Sequence, residues 1–269
     1  MMGPSHALSG AAVWLAGSWA AEYFNLYHQR PLEVAIGTAV CAGGALLPDL
    51  DMSGRVTSGQ GGATVAHTFG RVSLFVAEML EKFSLFIYDL TKFKHDPHRA
   101  NGHRTLTHTL PFAFLMGWLT LLACAAGGKW AVIGVVFVML GLAVRGLLHT
   151  WAKHAGWILI TVLSAAAAYG TFLYLPADRG YPMLGAAVGV GCVVHLLGDV
   201  ITSAGVPILW PIPTGRREWR MIGVPNAVAV SVGGKVETIF LRGVFALVSI
   251  AAVVLLAGPT IMEKFDIHV

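Results

Sequence analysis

The sequence predicts an all-α integral membrane protein, a helical bundle of about six to seven spans forming one domain over residues 1–269, on three observations. Hydrophobic residues make up 56% of the chain and charged residues 12%. With a mean hydropathy of +0.69, that is more apolar surface than a soluble core needs. Apolar runs recur from end to end between short polar links, and five of them approach the roughly 20 residues that cross a hydrocarbon core. The one long polar stretch, residues 52–102, carries a helical pattern with a single apolar face, which places an amphipathic interfacial helix in that loop.

The first two runs, 7–21 and 34–47, are short for spans. Ser5 opens the first as an N-cap residue, and the lack of Lys or Arg ahead of it argues against a cleaved signal peptide, so this helix is expected to stay. Pro48 closes the second. In the 52–102 loop a Gly- and Ser-rich link runs to Gly62. Beyond it Phe69, Val72, Phe75, Val76, Met79, Leu80, Phe83, Phe86, Ile87 and Leu90 recur at three- and four-residue steps, with Arg71, Glu78, Glu81, Lys82 and Lys92 mostly on the other face. Two placements suit such a face, the bilayer interface and the protein's own spans. Runs 110–126, 130–148, 157–175 and 183–204 follow, divided by Gly127-Gly128-Lys129, by 149–156 and by 176–182. Gly185 and Gly189 make a small-residue face that admits a closely packed neighbour. A Pro- and Arg-rich loop, 206–236, leads to the last run, 239–257. Cys41, Cys124 and Cys192 lie in apolar runs without a C-x-x-C pair, so neither disulfides nor a thiolate metal site is indicated.

Four polar clusters remain: His6; Asp49 and Asp51 in Pro48-Asp49-Leu50-Asp51; His103-Arg104-Thr105-Leu106-Thr107-His108; and His195 with Asp199 inside the sixth run. Seven crossings bring all four to one side of the membrane. Lys and Arg concentrate on that side, leaving Arg30, Lys129, Arg179 and Lys264 on the other, and among the histidines only His28 and His268 fall there. The positive-inside rule makes the clustered side cytoplasmic. The net charge of +4 then reflects topology, and specific nucleic-acid binding is not expected.

His195 and Asp199, at i,i+4, share a helix face, and an ionisable pair within an apolar span is costly unless it serves a site. Asp49 and Asp51 end a helix, where the dipole disfavours negative charge unless a cation compensates. A helix starting near Thr105 would leave His103 on the entering loop and set His108 one turn in, on the face of Arg104. Arg104 either steadies an anionic transition state or snorkels to the interface. His67, His95, His98, His149, His154 and Glu237 are weaker candidates, most of them surface residues. Together His6, Asp49, Asp51, His103, His108, His195 and Asp199 form a ligand set for one or two divalent ions, zinc or, given the hard carboxylates, manganese. Asp51 is placed to bridge two ions, and Asp51 and Arg104 are the catalytic candidates. No nucleophile-elbow, Walker A, H-E-x-x-H or dinucleotide-binding pattern occurs in a suitable context. The rivals to an enzyme are an ion or metal transporter and a membrane protein whose metal only holds helices together.

His6, Leu46-Leu47-Pro48-Asp49-Leu50-Asp51, His103-Arg104-x-x-Thr107-His108 and His195-x-x-x-Asp199, in this order between hydrophobic helices, resemble the LexA-regulated, membrane-bound metal-dependent hydrolases of bacterial inner membranes. The likeness covers roughly residues 1–210. That family is distantly similar to zinc-dependent phospholipase C and the related single-strand nucleases, all-helical enzymes that hold a zinc cluster with His and Asp for phosphodiester cleavage. The resemblance implies a multi-pass inner-membrane hydrolase with its site at the cytoplasmic face. The amphipathic 69–90 segment and Arg216, Arg217 and Arg220 beside it suggest a lipid phosphoester as substrate, a phospholipid or an isoprenoid phosphate.

Overall fold

In the computed structural model, residues 1–53, 63–175 and 181–264 are described. The Gly- and Ser-rich link at 54–62 falls outside them, as do Arg55, Arg179 and His268. Every long element among the described residues is a helix: α1 Gly3–Tyr23, α2 Pro31–Gly44, α3 Ala63–Ala66, α4 Gly70–Thr91, α5 Leu110–Leu147, α6 His149–Tyr174, α7 Met183–Val200 and α8 Arg242–Lys264. Five stretches are long and apolar enough to cross a membrane: Pro31–Asp51, Leu110–Leu147, His149–Tyr174, Met183–Val200 and Val236–Gly258.

The first N-terminal helix is longer than its apolar run implies, and the second segment reaches 21 residues only with the Pro48–Asp51 turn that follows it. α1 starts at Gly3, with Met2 and not Ser5 as its cap and Pro4 in its first turn. Its 21 residues reach about 31 Å, the thickness of a bilayer core. It ends where Asn25 turns left-handed. α2 begins at Pro31, with Arg30 N–H donating to the Glu33 carboxylate at 2.9 Å. The polar end of α1 adds turns that a count of apolar residues leaves out.

A straight α5 of 38 residues would measure about 57 Å, nearly twice a hydrocarbon core. Gly128, at φ 52° and ψ −139°, breaks it, and the two halves double back. Leu110 N–H bonds to Ile208 at one end, and Gly146 at the other packs on Ala7 and Leu46 near the same end of the bundle. The two runs expected here are thus two crossings joined at Gly128. Gly156, at φ 74°, likewise separates the corner at 149–155 from the span that follows.

The core lies between α2, α5 and α7, where Val40, Cys41, Leu46, Leu142, Leu184, Val188, Cys192 and Leu196 are buried together. The cysteines are free and buried. Gly185 meets the backbone of Gly117, so a Cβ there would come within 2.6 Å of the Gly117 carbonyl. The small-residue face therefore allows α7 to touch α5 directly. Burial ranks the spans: 72% of the Pro31–Asp51 window is buried and only 6% of Val236–Gly258, so α2 is a core helix and α8 a rim helix laid along α1.

α4 resolves the two placements left open for its apolar face. Val72, Phe75, Met79, Phe83, Phe86 and Leu90 all point away from the protein, while Ser73, Ala77, Ser84 and Tyr88 are buried against it. A helix that turns small and polar residues inward and its apolar stripe outward suits a membrane interface. Its inner face packs on the short 3₁₀ turns Pro48–Asp51 and Leu106–His108. The Asp96 carboxylate accepts from Glu218 and Trp219 N–H at 3.1 Å each, and Trp219 stacks between Trp210 and Tyr88. These contacts hold the Pro- and Arg-rich loop over the same end. Arg216, Arg217 and Arg220 on that loop are exposed.

Candidate metal centre

All eight residues singled out in the sequence meet at one end of the bundle. His6 comes from the first turn of α1, Asp49 and Asp51 from the Pro48–Asp51 turn after α2, and His195 and Asp199 from the last turns of α7. His103, Arg104 and His108 enter on the segment before α5, in a form the sequence did not suggest. His108 closes a 3₁₀ turn, and Arg104 stands left-handed at φ 56° outside any helix, so the two do not share a helix face. A left-handed arginine is costly, and its guanidinium explains the cost. Nη2 lies 3.0 Å from Asp199 Oδ2, and Nη1 donates to the Gly205 carbonyl at 3.2 Å. Arg104 thus points into the cluster and does not snorkel.

The protonation of two imidazoles can be read from their partners. His195 Nδ1 faces the Ala45 carbonyl at 2.8 Å, an acceptor only, so Nδ1 carries the proton and Nε2 a lone pair. Thr107 Oγ1 donates to Asp51 Oδ2 at 2.5 Å, so His108 Nδ1, 2.9 Å from the Thr107 hydroxyl oxygen, donates to that hydroxyl, and its Nε2 is also a lone pair. These two Nε2 atoms face each other across 3.2 Å. Asp49 Oδ1 is 3.7 Å from each and Asp199 Oδ2 is 3.8 Å from each. A tetrahedral zinc ion with bonds of about 2.0 Å separates its donors by about 3.3 Å. Four electron-rich atoms near that spacing, all buried, form a cradle for a cation; of the four, Asp199 is already paired with the Arg104 guanidinium and the Met1 ammonium.

Two further donors flank this quartet. The His6 ring stacks on His195 at 3.8 Å, and neither of its nitrogens makes a hydrogen bond although the ring is fully buried; Nε2 lies 3.3 Å from Asp199 Oδ1. His103 Nδ1 pairs with Asp51 Oδ1 at 2.7 Å. Burial draws the His103 imidazole toward its neutral form, but the neighbouring Asp51 carboxylate outweighs it, and its pKa stands above the ordinary 6.5. The donors sort into two triads, His6 with His195 and Asp199, and Asp49 with His103 and His108, each with donor atoms within 4.8 Å of one another. Asp51, placed by the sequence as a bridge between ions, has both oxygens engaged by His103 and Thr107. It stands behind the imidazoles and orients them, as carboxylates behind metal-bound histidines do.

The cluster is closed on most sides. His103 and Arg104, with side chains 16% and 17% exposed, are its most accessible members and mark the side of approach. His67, His95, His98 and His154 lie on the surface as expected, but Glu237 does not. It is fully buried and accepts from Met2 N–H at 2.6 Å. A lone carboxylate at the start of an apolar run was its only sequence signal. The Ala45 carbonyl, being backbone, had none.

The fold and the cluster define a polytopic helical membrane protein with a buried His/Asp centre at one end. The model of the YdjM inner membrane protein family matches residues 1–264, and the chain belongs to that family. The family description bears out the inner-membrane part of the resemblance drawn from the motifs and says nothing of LexA or hydrolysis. No curated protein and no solved structure matches the chain.

Proposed function

We propose that the protein is a metal-dependent hydrolase of the bacterial inner membrane, with two divalent ions held by the two triads and the site facing the cytoplasm. The supporting observation is the pair of unprotonated Nε2 atoms of His108 and His195, 3.2 Å apart and walled by Asp49 and Asp199. Occupying both triads uses every donor, His6 included, and gives each ion three protein ligands, the count that leaves a position for water in zinc hydrolases. Bound zinc or manganese would supply a hydroxide nucleophile at neutral pH and polarise a phosphoryl oxygen. Asp51 would hold His103 and, through Thr107, His108 in register. Arg104 would shift from Asp199 to the developing negative charge of a phosphoester.

A lipid phosphoester fits the surroundings. α4 packs on both turns that carry the centre and turns its apolar stripe outward, so a head group would meet the ions while its chains stay in the bilayer. Phospholipids, isoprenoid phosphates and single-stranded oligonucleotides, incubated in detergent with wild type and Asp49→Ala, test this. Lipid cleavage lost in the variant is expected. Cleavage of oligonucleotides alone would overturn the lipid assignment, and metal-dependent flux in proteoliposomes without turnover would favour a transporter. The quartet of His108, His195, Asp49 and Asp199 favours a second reading, since one ion among four protein ligands is a closed structural site. Elemental analysis separates them: two equivalents of metal support the hydrolase, and one equivalent with no turnover supports the structural role.

A further inference from the structure

Glu237 is a fully buried charge that the proposed chemistry does not use. It lies in a single π turn, Val236–Leu241, ahead of the lipid-facing α8, among Val236, Ile239 and Phe240, which are more than half exposed. Such turns often mark functional positions, and a carboxylate buried there is costly unless its oxygens are fully hydrogen-bonded. They are. Oε1 accepts from Met2 N–H at 2.6 Å, Oε2 accepts from Gly233 N–H at 2.8 Å, and the Ser5 hydroxyl also bonds to the carboxylate. Arg242 Nε donates to Ser5 Oγ at 3.0 Å, so the start of α8 grips the first turn of α1 through two side chains.

We infer that Glu237 is a positioning residue for the metal centre: by tying α8 to the first turn of α1, it sets the place of His6. The inference rests on the metal reading above. The amide nitrogens of Ser5 and His6 both bond to the Met2 carbonyl, at 2.9 and 3.1 Å, so holding Met2 holds the turn that carries His6. A carboxylate at a helix N-terminus also meets unpaired N–H groups and the positive end of the dipole. His6 makes no hydrogen bond of its own. Its location therefore depends on the backbone beneath it, on the ring stacked beside it, and on Asp199, which lies 3.3 Å from Nε2 and pairs with the Met1 ammonium.

Zinc affinity, measured by chelator competition on the full-length protein in detergent, tests this as a double-mutant cycle. Glu237→Ala is expected to weaken zinc binding about 10-fold or more, the range for residues that orient ligands. Glu237→Gln, which keeps the shape and one acceptor oxygen, recovers part of the loss. In a His6→Ala background, Glu237→Ala adds nothing further, because its effect runs through that ring. Cobalt(II) bound to Glu237→Ala should show the same change in visible absorption as cobalt(II) bound to His6→Ala. Equal losses in both backgrounds, or no loss in either, would overturn the inference. Should Glu237→Ala fail to fold, the cycle runs on Glu237→Gln with the same criteria. A wild type that binds no zinc overturns the metal reading and this inference with it, whereas a zinc-binding wild type with unaffected Glu237 variants overturns this inference alone.

Discussion

Each end of the bundle sets histidine beside carboxylate, and the two ends behave oppositely. At the far end His28 Nδ1 lies 2.9 Å from Glu22 Oε1 with the side chains 70% and 45% exposed. Water screens that pair, and it contributes little. At the other end His6, His108 and His195 are fully buried with Asp49, Asp51 and Asp199, and the Nε2 atoms of His108 and His195 meet lone pair to lone pair. The same residue types make a solvated surface pair in one place and a candidate cation site in the other. Burial and the direction of the Nδ1 hydrogen bonds separate them.

The largest effect that would break this comparison is loss of the proposed ions. His195→Ala is expected to reduce bound metal by at least one equivalent and abolish turnover, read by elemental analysis of purified protein. Asp51→Asn should keep the metal count but weaken affinity by about 10- to 100-fold, because the carboxylate serves His103 and Thr107 from behind. Retained wild-type affinity in a chelator titration would show that Asp51 does not orient the ligands.

Gly198→Ala sharpens the contrast from the packing side. A Cβ there would stand 3.1 Å from His6 Cε1 and 2.9 Å from Met1 Sδ, a crowding expected to cost about 1–3 kcal/mol. A lower thermal midpoint together with weaker zinc binding would show it, and an unchanged midpoint would contradict it.

A smaller effect concerns pH in the metal-free protein. The folded His103 pKa is raised above 6.5, so its pairing with Asp51 stabilises fully below about pH 6.5 and fades as pH rises through the folded value. Thermal midpoints taken with chelator at pH 6 and pH 8 should differ in that direction, and Asp51→Asn should remove the difference. His28→Ala at the far end should leave metal content and midpoint unchanged. A measurable loss there would mean that the exposed pair matters more than its solvation allows.

Much of this was legible in the residues. The apolar runs and turn residues mark all five stretches that are long and apolar enough to span, and the doubling at Gly128 follows from Gly127-Gly128-Lys129 between two runs. The four clusters were found as short motifs whose ionisable groups sit where a bilayer makes them costly. What escaped was whatever depends on a partner distant in sequence. Ser5 looked like a helix cap by type, yet α1 starts two residues earlier and Ser5 instead bonds Arg242 and Glu237. Glu237 looked like a surface residue because nothing local shows that Met2 and Gly233 close over it. Arg104 looked as free to snorkel as to serve a site until its left-handed backbone turned it onto Asp199.

By itself the sequence determined that the chain is a helical membrane bundle, which helices are apolar, and which residue types gather at one end. Hydropathy and periodicity are local properties, and a bilayer leaves the backbone few structures to choose from. Only the tertiary structure decided that Asp51 stands behind two imidazoles, that the Ala45 carbonyl directs His195 Nε2 at His108 Nε2, and that α4 turns its aromatic stripe away from the protein. Those outcomes rest on distances of about 3 Å between residues far apart in the chain, which are set by helix packing and not by spacing along it.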